Sequence, residues 1–221
     1  MKKRIFIMLL IVAIAICGSA AAFADDEFSA WDSNRYIPPD VFGTKLQVPV
    51  KYLMDKKVLT GDTDGLFHPE KNINRAEFAT IMAKATNNVA ELAVYGNEDI
   101  FSDLDGYGWA KPYINAVSKA GLFKGRSSDR FAPSEDVTYA EVITVLIRMN
   151  GAADAAESMG PKWPDNYIAY AEKEKNKWTV DVVIKDWNAP AAKGDAVLLL
   201  YRNMPKDEAK PEDQEEDKTK P

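Results

Sequence analysis

The stretch Asn72-Ile73-Asn74-Arg75-Ala76-Glu77-Phe78-Ala79-Thr80-Ile81-Met82 reads as the opening of a helix with a cation at its mouth. Asn74 serves as N-cap, and Glu77, three residues on, reaches back to the cap's N–H. Phe78, Ile81, Met82 and Ala85 recur on one helical face. Arg75 falls in the first turn, beside backbone N–H groups without intrahelical partners and at the positive end of the helix dipole. A cation there is locally unfavourable. It makes sense if an anion is meant to arrive.

The pattern returns twice. Thr138-Tyr139-Ala140-Glu141 opens a second helix with Val142, Val145, Leu146 and Met149 on one face. Ala192-Lys193-Gly194-Asp195 opens a third, with Ala196, Leu199 and Leu200 in matching places. Upstream, Gly61, Phe67 and Pro69 stand at the same offsets from Arg75 as Gly125, Phe131 and Pro133 do from Tyr139. Trp109 precedes Tyr139 by the interval that separates Trp163 from Lys193. Agreement at so many separate positions marks an internal repeat.

Phe101-Ser102-Asp103-Leu104, Gly108-Trp109-Ala110-Lys111-Pro112-Tyr113-Ile114, Gly125, Phe131-Ala132-Pro133 and the helix-opening tetrads together resemble S-layer homology (SLH) repeats. The third copy, from Trp163-Pro164-Asp165 to Gly194-Asp195, resembles a looser version. The expected organisation is a signal peptide at 1–24, a lead-in with repeat 1 at 25–88, repeat 2 at 99–151, a divergent repeat 3 at 160–204 and a disordered charged tail at 205–221. Each copy reads as helix, turn-rich loop, helix, with Gly61 placed for a positive φ at the end of the first. No copy can bury its apolar face alone. The expected fold is mainly α: three helix–loop–helix repeats in a pseudo-threefold bundle, with short extended pieces in the loops. The resemblance implies the three-lobed arrangement and grooves between copies.

Lys2, Lys3 and Arg4, the apolar run Ile5–Ile16 and Ala22-Phe23-Ala24 have the form of a removed export signal. The apolar run is short for a membrane span. Its cleavage would remove Cys17, the only cysteine, and with it any disulfide or thiol chemistry. It would also make the chain three charges more negative than the −6 of the whole sequence. An acidic chain is a poor general partner for nucleic acid. Asn87-Asn88, Gly96-Asn97 and the alanine-rich run from Gly151 to Gly160 read as linkers.

Arg75 and Lys193 are the candidate anion-binding heads, at helix N-termini whose N–H groups favour a negative ligand. Either is also readable as a solvated charge near Glu77 or Asp195. The resemblance implies a secondary cell-wall polysaccharide whose pyruvate ketals supply carboxylates. Tyr139 departs from the arginine of the family pattern and cannot neutralise a carboxylate. Trp109 and Trp163 are either core aromatics or exposed indoles suited to a sugar ring. Asp103, with Asp40 as its counterpart in the first copy, either accepts sugar hydroxyls or caps a turn. Asp62-x-Asp64-Gly65 reads as a turn, since its spacing does not fit a calcium loop. His68, the single histidine, has no cysteine near it to suggest zinc.

The sequence thus leads to a secreted, non-enzymatic cell-wall module with no cofactor and no metal, holding an acidic polysaccharide. Alternative partners are S-layer or other envelope proteins, or modified peptidoglycan.

Overall fold

A computed structural model describes residues 36–86, 92–96, 98–173 and 178–205 of the chain. The expected signal peptide, most of the lead-in before Tyr36, the Asn87-Asn88 linker and the tail beyond Pro205 lie outside the described residues. The chain divides into two units, 1–32 and 33–221, and every described residue belongs to the second.

The described residues are mainly helical. Three leading helices, α1 (Gln47–Asp55), α4 (Lys111–Lys119) and α7 (Asp165–Lys173), alternate with three longer following helices, α2 (Arg75–Ala85), α5 (Tyr139–Met149) and α8 (Lys193–Asn203). Short helices α3 (Leu92–Tyr95) and α6 (Ala153–Glu157) occupy stretches that read as linkers. The second buries Ala156. The expected capping boxes are present at Asn74–Glu77 and Thr138–Glu141. Ala192 offers no side-chain cap to α8. The left-handed residue after α1 is Lys57 (φ 57°) rather than Gly61, and Gly121 (φ 70°) takes the same place after α4. Gly125, the counterpart of Gly61, is required by crowding: an added Cβ would lie 2.6 Å from both Arg130 O and the Phe101 ring.

Each following helix packs on the leading helix of the next copy: α2 on α4, α5 on α7, and α8 back on α1. The packing unit is therefore a pair drawn from two repeats, and the cycle closes the two ends of the fold on each other. At its centre the three segments before the following helices form a ring. Ile73 N–H donates to Ala191 O (3.1 Å), Ala191 N–H to Val137 O (2.8 Å) and Val137 N–H to Ile73 O (3.0 Å). All three side chains are fully buried. The antiparallel bridges Asn72–Ala192, Asn74–Asp136 and Thr138–Pro190 flank the ring and are the only extended pairings among the described residues.

The helix starts are satisfied by the same rotation. Arg75 and Ala76 donate N–H to Glu135 O and Pro133 O, Tyr139 and Ala140 to Ala189 O and Trp187 O, and Lys193 and Gly194 to Lys71 O and Pro69 O. Carbonyls of the neighbouring repeat thus take donors that a helix N-terminus leaves open. Side chains repeat the theme. The Arg75 guanidinium donates to the Glu141 carboxylate, to Phe131 O (2.9 Å) and to Lys124 O (2.9 Å). It lies between the Phe123 and Phe131 rings, 4.4 and 4.7 Å from their centroids. Burial lowers its pKa to about 10, with Glu141 pulling the other way, so it stays charged at neutral pH.

Because Arg75 is 1% and Glu141 5% exposed, Arg75→Ala is expected to lower stability by about 3 kcal/mol. That is the low end for breaking a buried pair, since Arg126 still reaches Glu141 at 2.6 Å. Ile73→Ala is expected to cost about 2–5 kcal/mol. Phe42→Ala, at an exposed position, should stay within about 0.5 kcal/mol. Urea unfolding followed by tryptophan fluorescence checks all three.

Candidate functional site

Among the described residues, two of the clefts between neighbouring repeats are built from corresponding residues. The first, about 210 Å³, is lined by Thr60, Asp62, Glu77, Thr80, Ile81, Lys84, Trp109 and Lys193, over a floor that includes Phe67 and Ile73. The second, about 350 Å³, is lined by Lys124, Arg126, Glu141, Thr144, Val145, Arg148 and Trp163. Glu77 and Glu141 are the capping-box acids, so the residue that starts each helix also walls a cleft. One turn on, Thr80 and Thr144 face inward, each donating its hydroxyl to the carbonyl four residues back.

Both tryptophans stand at cleft mouths and not in the core. Trp109 is 53% and Trp163 44% exposed. The indole N–H of Trp163 donates to Thr144 Oγ1 (3.0 Å), which fixes the ring while leaving its outer face open. Among the described residues the fully buried tryptophan is Trp178, which the sequence reading did not single out.

Lys193 opens onto the first cleft together with Trp109. Its ammonium lies 5.7 Å from the Phe67 ring centroid and 3.4 Å from Asp62 Oδ2. That ion pair is long, and a lysine head carries three donors. Lys84 reaches the same space, its pKa lowered by burial. In the second cleft the position corresponding to Lys193 is Arg75, and it lies beneath the surface. Its charge is already matched by Glu141, so its head is not held out for a ligand. The exposed cations of this cleft are Lys124 and Arg126, neither of which the sequence reading singled out. Arg126 ties Glu141 to Glu135 (2.6 and 2.9 Å), while Arg148 lies over the Tyr167 ring, 5.2 Å from its centroid.

Tyr139 occupies the third junction, where its hydroxyl donates to Asp195 Oδ2 (2.7 Å). Burial, and then Asp195, raise its pKa. Here Lys45 stands where the other junctions have tryptophan, and its ammonium donates to Asp181 O (2.8 Å). Leu198 replaces the cleft threonine. The three junctions are not chemically equivalent.

The two candidate aspartates hold loops. Asp103 accepts N–H bonds from Phe131 (2.9 Å) and Ala132 (2.7 Å). Asp40 does the same for Phe67 (3.1 Å) and His68 (2.7 Å). Ala132 and His68 are both left-handed, and each carboxylate fastens that unfavourable conformation in place. Both carboxylates therefore hold turns. The expectation of free N–H groups at the Arg75 and Lys193 helix mouths does not fit it, since the neighbouring repeat takes the first two at each. No described helix is long and apolar enough to cross a membrane.

The family model "S-layer homology domain" matches residues 49–79 and 100–143. These segments hold most of α1 with the start of α2, and α4 with the start of α5. The chain is 26% identical over 200 residues, 90% of its length, to the middle cell wall protein of Brevibacillus brevis. It is 30% identical over 172 residues, 73% of its length, to the surface-layer 125 kDa protein of Lysinibacillus sphaericus. An uncharacterised cell wall amidase of Bacillus anthracis is 38% identical over 104 residues, 46% of this chain. The matches span only 18%, 14% and 18% of those proteins. Repeated helix starts, clefts between copies and two matched segments agree, and the chain belongs to the S-layer homology domain family.

Proposed function

We propose that the described unit anchors its chain non-covalently to the cell wall by holding an acidic wall polysaccharide in the two tryptophan-bearing clefts. The observation that carries this is Lys193 and Trp109 lining one cleft, the indole half exposed. A sugar ring presents apolar C–H groups that suit an indole face, and a ring-borne carboxylate suits an ammonium head. The ketal carboxylate of a pyruvylated sugar is such a group. Lys193 is the anion contact of the first cleft, and Lys124 and Arg126 supply the cationic rim of the second. Arg75 contributes from behind by holding Glu141, the wall of that cleft. The relatives named above are cell-wall and surface-layer proteins, and the chain belongs on the same surface.

This role is binding without turnover. A single charge-assisted hydrogen bond contributes about 1.5–3 kcal/mol, so firm attachment uses both clefts on one polymer.

Co-sedimentation with purified wall sacculi, before and after the secondary polymer is stripped, tests the reading. Binding is expected to vanish on stripping and to weaken about tenfold in Lys193→Gln and in Trp109→Ala, the change that a loss of about 1.4 kcal/mol gives. Lys45→Ala, at the third junction, should bind as the parent does. Retention on stripped walls, or equal binding by Lys193→Gln, overturns the polysaccharide reading. Concentration-dependent self-association without wall binding would instead favour assembly with envelope proteins.

A further inference from the structure

The loop between α1 and α2 carries the chain's one histidine. His68 has φ 56° and Ala132, its counterpart before α5, has φ 61°. Asp40 and Asp103 clamp them alike. The backbone bond from Asp62 N–H to Leu66 O recurs as Arg126 N–H to Arg130 O. The same loop therefore forms twice. Where the first copy has Asp62, Asp64, His68 and Glu70, the second has Arg126, Ser128, Ala132 and Ser134. The loop conformation does not require the four side chains of the first copy.

Those side chains converge. One ligand atom from each of Asp62, Asp64 and His68 lies within 4.8 Å of the other two. Nε2 is 2.7 Å from Asp64 and 3.9 Å from Asp62. On the opposite edge of the ring, Nδ1 lies 3.6 Å from Glu70 Oε1. Tetrahedral ligands about 2.0–2.2 Å from an ion stand about 3.3–3.6 Å apart, and the two Nε2 distances fall on either side of that spacing. A carboxylate hydrogen-bonded to the other ring nitrogen orients a metal-bound imidazole, and Glu70 stands on that side of the ring, a small side-chain movement short of the bond. Imidazole among carboxylates favours zinc-class ions over calcium or magnesium.

We propose that Asp62, Asp64 and His68 form a site for one divalent transition-metal ion of the zinc class, with Glu70 orienting the imidazole. Water completes the coordination. Lys193, 3.4 Å from Asp62 Oδ2, is the competing cation and keeps the affinity below that of a closed four-ligand site. In sequence His68 has no cysteine near it; its carboxylate neighbours gather around the ring only when the loop turns back on itself.

The test is titration of the tag-free chain with Zn²⁺ while the imidazole nitrogens are followed by NMR, where a single histidine leaves no ambiguity. One equivalent is expected to shift Nε2. His68→Ala, which the Ala132 loop shows to be compatible with this backbone, should abolish the one-to-one site. Glu70→Gln should weaken it about tenfold. Zinc affinity unchanged in His68→Ala, an imidazole that does not respond at saturating Zn²⁺, or stronger binding of Ca²⁺ than of Zn²⁺ overturns the proposal.

Discussion

Three main-chain hydrogen bonds, Ile73 to Ala191 to Val137 and back to Ile73, are the constraint on which the described structure depends. Each links segments far apart in the chain, and all three residues are fully buried. A buried backbone donor left without an acceptor is costly, so each repeat needs its neighbours to supply one. The ring therefore couples the three copies. Around it, each following helix finds the carbonyls that receive its first N–H groups and the leading helix that covers its apolar face in another copy. A lone hairpin of this kind would lack both.

The same rotation makes the clefts. Because α2 packs on α4 and α5 on α7, the residue two positions before each leading helix is carried to the outer face of the preceding following helix. Trp109 and Trp163 arrive there and remain half exposed. At the third junction Lys45 and Leu198 arrive with different chemistry, and Tyr139 closes on Asp195. One backbone plan thus yields two related clefts and one divergent contact. Departure from symmetry at a handful of side chains is what distinguishes them.

Arg75 and Lys193 illustrate how position alone misleads. Both occupy the first residue of a following helix. Arg75 meets Glu141 and two aromatic rings and becomes part of the interior. Lys193, on a longer contact with Asp62, keeps its head in a cleft. The neighbouring repeat decides between these outcomes: position 126 holds an arginine beside Glu141, whereas position 62, its counterpart, holds the aspartate that Lys193 meets.

Local signals in the sequence determined the following helices, two capping boxes, the recurrence of the pattern and the family, because each rests on spacing within a few residues or on offsets countable along the chain. Gly61 does not carry the positive φ its position suggested, since Lys57 turns the chain after α1 instead; in sequence a glycine kept for close approach, as Gly125 is, looks the same as one kept for a positive φ. The tertiary structure alone decided which donors at the helix mouths remain open, which of two like cations is buried, that both aspartates hold loops, and which tryptophans face outward. The helix mouths and the buried cation depend on carbonyls, rings and carboxylates supplied by another repeat, and the aspartates on a loop nearly thirty residues along their own repeat; a linear pattern records the residue but not the neighbour that balances its charge or covers its face.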